Sequence, residues 1–330
     1  MEGRMDKKTW MAVIACWLLL CPAGASGQLW TDSQLAGQPG ERQGGHLTAP
    51  DVTPPARTVP QHASPPLAQG LRGSIRRVDT AGEKLVALTF DLCELADKTA
   101  GYDYEIVDYL RQEKVAATFF AGGKWMRSHP ERAMQLMSDP LFEVGSHAWT
   151  HGNFGVLSPD KMRDQVLWTQ AQYELLRDQL AARAASTNMG QMMAKVPQAI
   201  AVFRFPYGRC RPEALDLLAG QGIAAIQWDV NTMDPWRGQS AQAIAKVVES
   251  QVRPGSMVIG HANGFGWHEA EALRLYIPVL KAKGYRFVTV SQLLASGKPV
   301  VAQECFDAKP GDTAVYDRQF GDGTVHPGNK

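Results

Sequence analysis

The sequence has no long apolar run, no excess of either charge and few cysteines. Its 34 Lys and Arg are balanced by 33 Asp and Glu, leaving a formal net charge of +1. That balance removes the electrostatic case for a nucleic-acid binder. The apolar stretch 10–21 is about 12 residues, roughly 18 Å as a helix and short of the ~30 Å hydrocarbon core of a bilayer. Lys7 and Lys8 precede it, Pro22 ends it, and Ala23-Gly24-Ala25 supplies small residues for cleavage. Residues 1–25 therefore read as a secretory signal peptide. The mature protein is expected to be secreted or periplasmic, with no stable transmembrane anchor. Cys16 and Cys21 leave with the leader. Cys93, Cys210 and Cys305 remain, which permits one intramolecular disulfide in any of three pairings.

No internal repeat is present. Residues 26–79 are rich in Pro, Gly, Ser and Gln, include Pro54-Pro55 and Pro65-Pro66, and read as a disordered linker. Residues 80–297 carry the folded pattern, and the Gly- and Asp-rich residues 298–330 read as an irregular tail. Strand-like apolar runs fall near 86–90, 116–120, 142–145, 201–205, 223–228, 257–260 and 286–290, separated by helical patterns. Regular alternation of this kind predicts a parallel sheet with helical crossovers. The expected class is α/β, a distorted, incomplete (β/α) barrel of about seven parallel strands. Residues 170–198 are long for their position and would extend a substrate groove.

Asp91, His147, Asp229 and His261 each follow a predicted strand. In a parallel barrel those strand ends share the face on which sites are built. Any one alone has a plainer reading, such as a structural histidine or a turn aspartate. In Ser146-His147-Ala148-Trp149-Thr150-His151, two imidazoles four apart can face one way over a helical turn and hold a metal. Zinc suits them, as do cobalt and nickel.

These residues lie in five ordered motifs through which residues 85–294 resemble the polysaccharide deacetylases (NodB homology domain, carbohydrate esterase family 4). The motifs here are Thr89-Phe90-Asp91-Leu92-Cys93, His147 to His151, Arg204-Phe205-Pro206-Tyr207, Asn231 to Trp236, and Ile259-Gly260-His261. The resemblance implies a divalent-metal hydrolase that removes N-acetyl groups from a chitin-like or peptidoglycan-like polysaccharide. It implies a metal on His147 and His151, Asp91 as general base, and Arg204 holding Asp91. It further implies His261 as the acid that protonates the leaving amine, oriented by Asp234. The Tyr207 backbone N–H would face the oxyanion, and Trp236 and Ile259 would wall the acetyl methyl.

The sequence departs from the family where Leu92 occupies the place of a metal-binding carboxylate. Leucine ligates nothing, and catalytic zinc usually has three protein ligands. If the strand continues, Glu94 shares Leu92's face and would supply the missing carboxylate; Asp91 and the more distant Asp97 are the other acids in reach. A thiolate from Cys93 is the least favoured repair, because extracellular thiols oxidise. Cys93–Cys210 or a bridge to Cys305 would consume it instead. Asn231 and Pro235 also alter the fourth motif, with Asp229 as a compensating charge. The competing readings are a carbohydrate-binding relative that has lost its metal, and a hydrolase of another C–N bond.

Overall fold

Residues 28–325 are described by the computed structural model. The expected signal peptide lies outside them. Among the described residues no helix is long and apolar enough to cross a membrane. The strands in chain order are β1 Gly45–His46, β2 Ser74–Asp79, β3 Leu85–Leu92, β4 Lys98–Thr99, β5 Ala117–Ala121 and β6 Phe142–Ser146. They continue with β7 Val202–Phe203, β8 Ala224–Ile226, β9 Val230–Asn231, β10 Ser256–His261, β11 Arg286–Phe287 and β12 Lys298–Ala302.

Pairing runs β3-β5-β6-β7-β8-β2-β10 and returns from β10 to β3. The barrel is thus a closed, mostly parallel ring of seven strands. Its irregularity lies at β2, which pairs parallel with β8 but meets β10 through one antiparallel bridge, Ser256–Arg77. The β9 strand takes over alongside β10 farther up, at Val258 and Ile259.

β3 shows why the chain folds this way. Leu85 and Ala87 project into the barrel with Ile75, Ile226 and Met257. Val86, Leu88, Phe90 and Leu92 project outward into the layer under the helices. Both faces are buried, which accounts for the continuous apolar run. The period-two alternation leaves Asp91 on the inner face at the carboxyl end. The crossover helices cover the outside, and helix Pro159–Ser186 starts where the Ser158 side chain accepts from Lys161 N, a standard N-cap.

Both segments expected to be irregular are instead built into the domain. β2, at the end of the supposed linker, is a barrel strand. Leu29 and Trp30 are buried in the outer core, and β1 pairs antiparallel with β4. Side chains from the helices satisfy the backbone of this polar stretch. Arg132 donates to the carbonyls of Gln34, Leu35 and Ala36 and pairs with Glu41 at 2.8 Å. Buried Glu174 accepts from Gln61 N at 2.7 Å and His62 N at 3.0 Å. Composition alone underestimated the order, because these residues need no core of their own when charged side chains anchor the chain. Helix Pro159–Ser186 therefore holds the N-terminal segment through Glu174, and no residue of 170–198 lines the cleft described below. At the other end, β12 adds antiparallel to β2, Cys305 is bridged to Cys210, and Asp317 pairs with Arg209 at 2.7 Å.

Arg132→Ala is expected to release residues 29–43 to limited proteolysis and to lower urea stability by about 1.5–3 kcal/mol, the range for charged hydrogen bonds. Unchanged digestion would show that the segment holds without this anchor.

Candidate active site

Parallel pairing aligns the site at one end of the barrel. Asp91 and His261 are register partners on β3 and β10. The loop after β6 delivers His147 and His151, and the chain after β7 delivers Arg204 and Tyr207. All but Arg204 of these, with Trp236 and Ile259, line a cleft of about 530 Å³. Arg204 and Asp234 stand behind that lining. The structure therefore gathers the sequence-predicted residues in one place.

Arg204 is fully buried and donates from Nη1 to Asp91 Oδ1 at 2.9 Å. Its guanidinium also lies 4.2 Å from the centre of the Phe120 ring. Burial pushes the Asp91 carboxyl up. The charges of His147, Arg204 and His261 outweigh burial and hold it below the usual carboxylate range. Asp91 Oδ2 lies 3.5 Å from His147 Nε2.

His261 is fixed twice by one carboxylate. Its backbone N–H donates to Asp234 Oδ2 at 2.7 Å, and its Nδ1 meets Asp234 Oδ1 at 2.9 Å. Thr232 Oγ1 donates to the same Oδ1 at 3.1 Å. Burial lowers the imidazole's pKa, but the Asp234 charge and hydrogen bond raise it well above the ordinary histidine value. The Asp234 carboxylate thus favours the charged imidazole, and His261 lines the cleft.

His147 and His151 do not lie on a helical turn. They sit in a loop in which Ala148 and His151 adopt left-handed φ values of 65° and 60°, and their ring centroids are 4.9 Å apart. Such backbone is costly for non-glycine residues and clusters at functional sites. His147 Nδ1 is 2.9 Å from the Arg204 carbonyl. A carbonyl only accepts, so Nδ1 carries the proton and Nε2 offers its lone pair. His147 Nε2 and His151 Nδ1 are both buried without a hydrogen-bond partner. Two orphaned imidazole nitrogens side by side fit a divalent metal.

Glu94 does not join them. Its Oε1 accepts from Lys124 Nζ at 2.8 Å and Ser128 Oγ at 2.6 Å, and its Oε2 accepts from Ala100 N at 2.9 Å. The assignment of Glu94 as metal ligand is corrected on this ground, since Oε1 is committed to a buried ion pair with Lys124 and Oε2 to the Ala100 backbone N–H. Cys93 lies close to both imidazoles. Its Sγ lies within 4.8 Å of ligand nitrogens of His147 and His151, and an overlapping group joins it to Asp91 and His261. Burial raises the thiol's pKa, but His151 and His147 outweigh it and bring it well below the ordinary value. Cys210 is bridged to Cys305 and leaves Cys93 free, which settles the open pairing.

Other residues escaped the sequence reading. Asp307 accepts from Trp228 Nε1 at 2.7 Å and Asn231 Nδ2 at 2.8 Å. It occupies the altered fourth motif, whereas Asp229 turns away to Ser256 and Met257 N. Tyr316 and Phe320 join Tyr207, whose ring centre is 4.8 Å from that of Phe320 and 4.4 Å from that of His151. These wall residues come from the segment expected to be an irregular tail, and no local motif announces them. Tyr207 has left-handed backbone, φ 60°. Trp236 stands at the rim, 61% exposed, while Ile259 is buried in the wall.

The polysaccharide deacetylase family profile matches residues 78–191. A peptidoglycan-N-acetylglucosamine deacetylase of Bacillus cereus is 32% identical over 219 residues, covering 64% of this chain and 69% of that protein. The chain belongs to the polysaccharide deacetylase family. A chitooligosaccharide deacetylase of Bradyrhizobium is 28% identical, over 65% of this chain and 93% of the relative. A solved CE4 family pseudoenzyme from Bacillus anthracis superposes with a TM-score of 0.53 at 27% identity, covering 68% of this chain and 69% of its own. The family's members thus include both working deacetylases and a protein described as inactive.

Glu94→Gln is expected to cost about 3–5 kcal/mol in urea unfolding, because the buried Lys124 ammonium loses its counter-charge. Divalent-metal affinity of the folded variant, measured by calorimetry, should be unchanged. A weakened affinity would return Glu94 to the ligand set.

Proposed function

We propose that this deacetylase-family protein is an active N-deacetylase of an N-acetylated polysaccharide, of the chitin or peptidoglycan type, outside the cytoplasm. The observation that carries the reading is the adjacent pair at one end of the barrel: Asp91 beside the Arg204 guanidinium, and His261 beside the Asp234 carboxylate. A base and an acid so placed are what amide hydrolysis requires. The substrate class is supported by the relatives' activities, and the compartment by the signal-like residues 1–25.

A divalent cation on His147 and His151, zinc by ligand type with cobalt or nickel as alternatives, would polarise the acetamide carbonyl and acidify water. Asp91 then takes the proton from the attacking water as its oxygen bonds the carbonyl carbon. The Tyr207 backbone N–H, turned by its left-handed residue, faces the developing oxyanion. His261 delivers its proton to the sugar nitrogen as the C–N bond breaks, releasing acetate and an amine. Asp234 keeps the imidazole oriented through both exchanges. Ile259 walls the methyl group, and exposed Trp236 offers a flat apolar face to a sugar ring.

A second reading is an inactive carbohydrate-binding relative, favoured by the missing family carboxylate and by likeness to the pseudoenzyme. The intact acid, base and both positioning groups weigh against it.

Acetate release should be seen with chitin oligomers or peptidoglycan fragments, and comparing the two identifies the polymer. No acetate from either, with metal bound, would sink the enzyme reading in favour of the binding one. Asp91→Asn should lower kcat by about 10²–10⁴-fold with metal stoichiometry intact. Loss of the metal instead would make Asp91 a ligand. His261→Ala should lower kcat by a similar factor with KM little changed, and a KM effect alone would remove it from the chemistry.

A further inference from the structure

We propose that Cys93 Sγ is the third protein ligand of the metal, completing a Cys–His₂ centre with His147 and His151 where the family motif supplies a carboxylate. The inference rests on the metal-dependent reading above and deepens it.

Side chains alternate along β3 and just beyond it, so Asp91 and Cys93 share the face that meets the cleft. Leu92 points the other way into the outer core, and Glu94, though it reaches the cleft lining, is tied to Lys124. The vacancy left by the family's carboxylate is therefore not at Leu92. The backbone at Cys93 is pinned on both sides: Leu92 O accepts from Gly122 N at 3.1 Å, and Cys93 O accepts from Asn263 Nδ2 at 3.0 Å.

The sulfur lies within 4.8 Å of one ring nitrogen of each of His147 and His151, imidazoles whose Nε2 and Nδ1, respectively, are buried with no hydrogen-bond partner. A tetrahedral zinc spaces its sulfur and nitrogen ligands about 3.3–3.6 Å apart, from its bond lengths. The 4.8 Å bound on this group's mutual separations accommodates that spacing. Asp91 Oδ1 is engaged by Arg204 and Glu94 by Lys124, and Asp97 does not fall in either group of candidate ligand atoms. Cys93 is 8% exposed, and among the described residues Cys210 and Cys305 are bridged to each other and leave it no disulfide partner.

Ligation exchanges the S–H bond for a sulfur–metal bond and releases one proton to solvent. The thiolate carries the same single negative charge as the carboxylate it replaces, so the net charge of the ligand set is kept. What changes is softness. Thiolate with two imidazoles selects zinc and cobalt over magnesium and manganese, which prefer oxygen donors. The same sulfur also lies near His261, an arrangement that would suit a nucleophilic thiol, and the test separates the two roles.

The full protein, stripped with chelator and reloaded with cobalt(II), should take up one cobalt and show a sulfur-to-cobalt charge-transfer band in the near ultraviolet. Cys93→Ser should lose that band and bind cobalt more than about 100-fold more weakly, beyond the loss typical of removing an outer hydrogen-bond partner. Cys93→Asp should bind cobalt without the band and release acetate, which a nucleophilic thiol would not allow. This variant also controls for a Ser variant that fails to fold. Cobalt bound by the wild type and lost in His147→Ala, but without the band, would overturn the thiolate ligand and leave the metal reading standing. A band that survives in Cys93→Ser would likewise overturn it. No uptake of cobalt or zinc by the wild type would end both.

Discussion

The pairing of β3 with β10 fixes nearly everything else at the site. Each strand is buried inside a closed ring, so neither can slip by a residue without turning apolar side chains inward-out. In the register they adopt, Asp91 lies beside His261. The two groups proposed to act as base and acid are thus set by backbone hydrogen bonds, not by flexible loops. Arg204 and Asp234 then act as fixed counter-charges from behind, each satisfying one of the pair.

Arg204 links the two halves of the centre. Its guanidinium neutralises Asp91 while its carbonyl orients His147. A fully buried guanidinium is expensive to desolvate, and its ion pair is weak support for stability by itself. Its position is better explained by what it does for the two groups it touches. The surrounding Phe120 and Trp228 rings shield the pair from water, which strengthens its effect on the Asp91 carboxyl.

The barrel, the strand-end residues and the five motifs were legible in the sequence because each rests on local pattern. Alternation gave β3, the four-residue spacing after a predicted strand gave His147 and His151, and the resemblance to the family gave Asp234 behind His261. What was not legible depends on contacts distant in sequence. Residues 28–73 lack apolar content but are held by Arg132 and Glu174, residues that carry no sign of that role in their own helices. Asp307, Tyr316 and Phe320 reach the cleft only because β12 and the Cys210–Cys305 bridge bring the last segment there.

The third ligand was misplaced for a different reason, and the signal was present. Matching the motif letter by letter put the missing carboxylate at Leu92 and led to Glu94. Matching by face leads to Cys93, since on an extended chain two residues separate side chains that point the same way. A lost motif letter is therefore poor grounds for declaring a site dead. The inner face of β3 still ends in two groups able to carry negative charge, Asp91 and Cys93. The acid, the base and both imidazoles remain around them. What has changed is the hardness of one donor, and that alters which metal the site prefers before it alters whether the site can work.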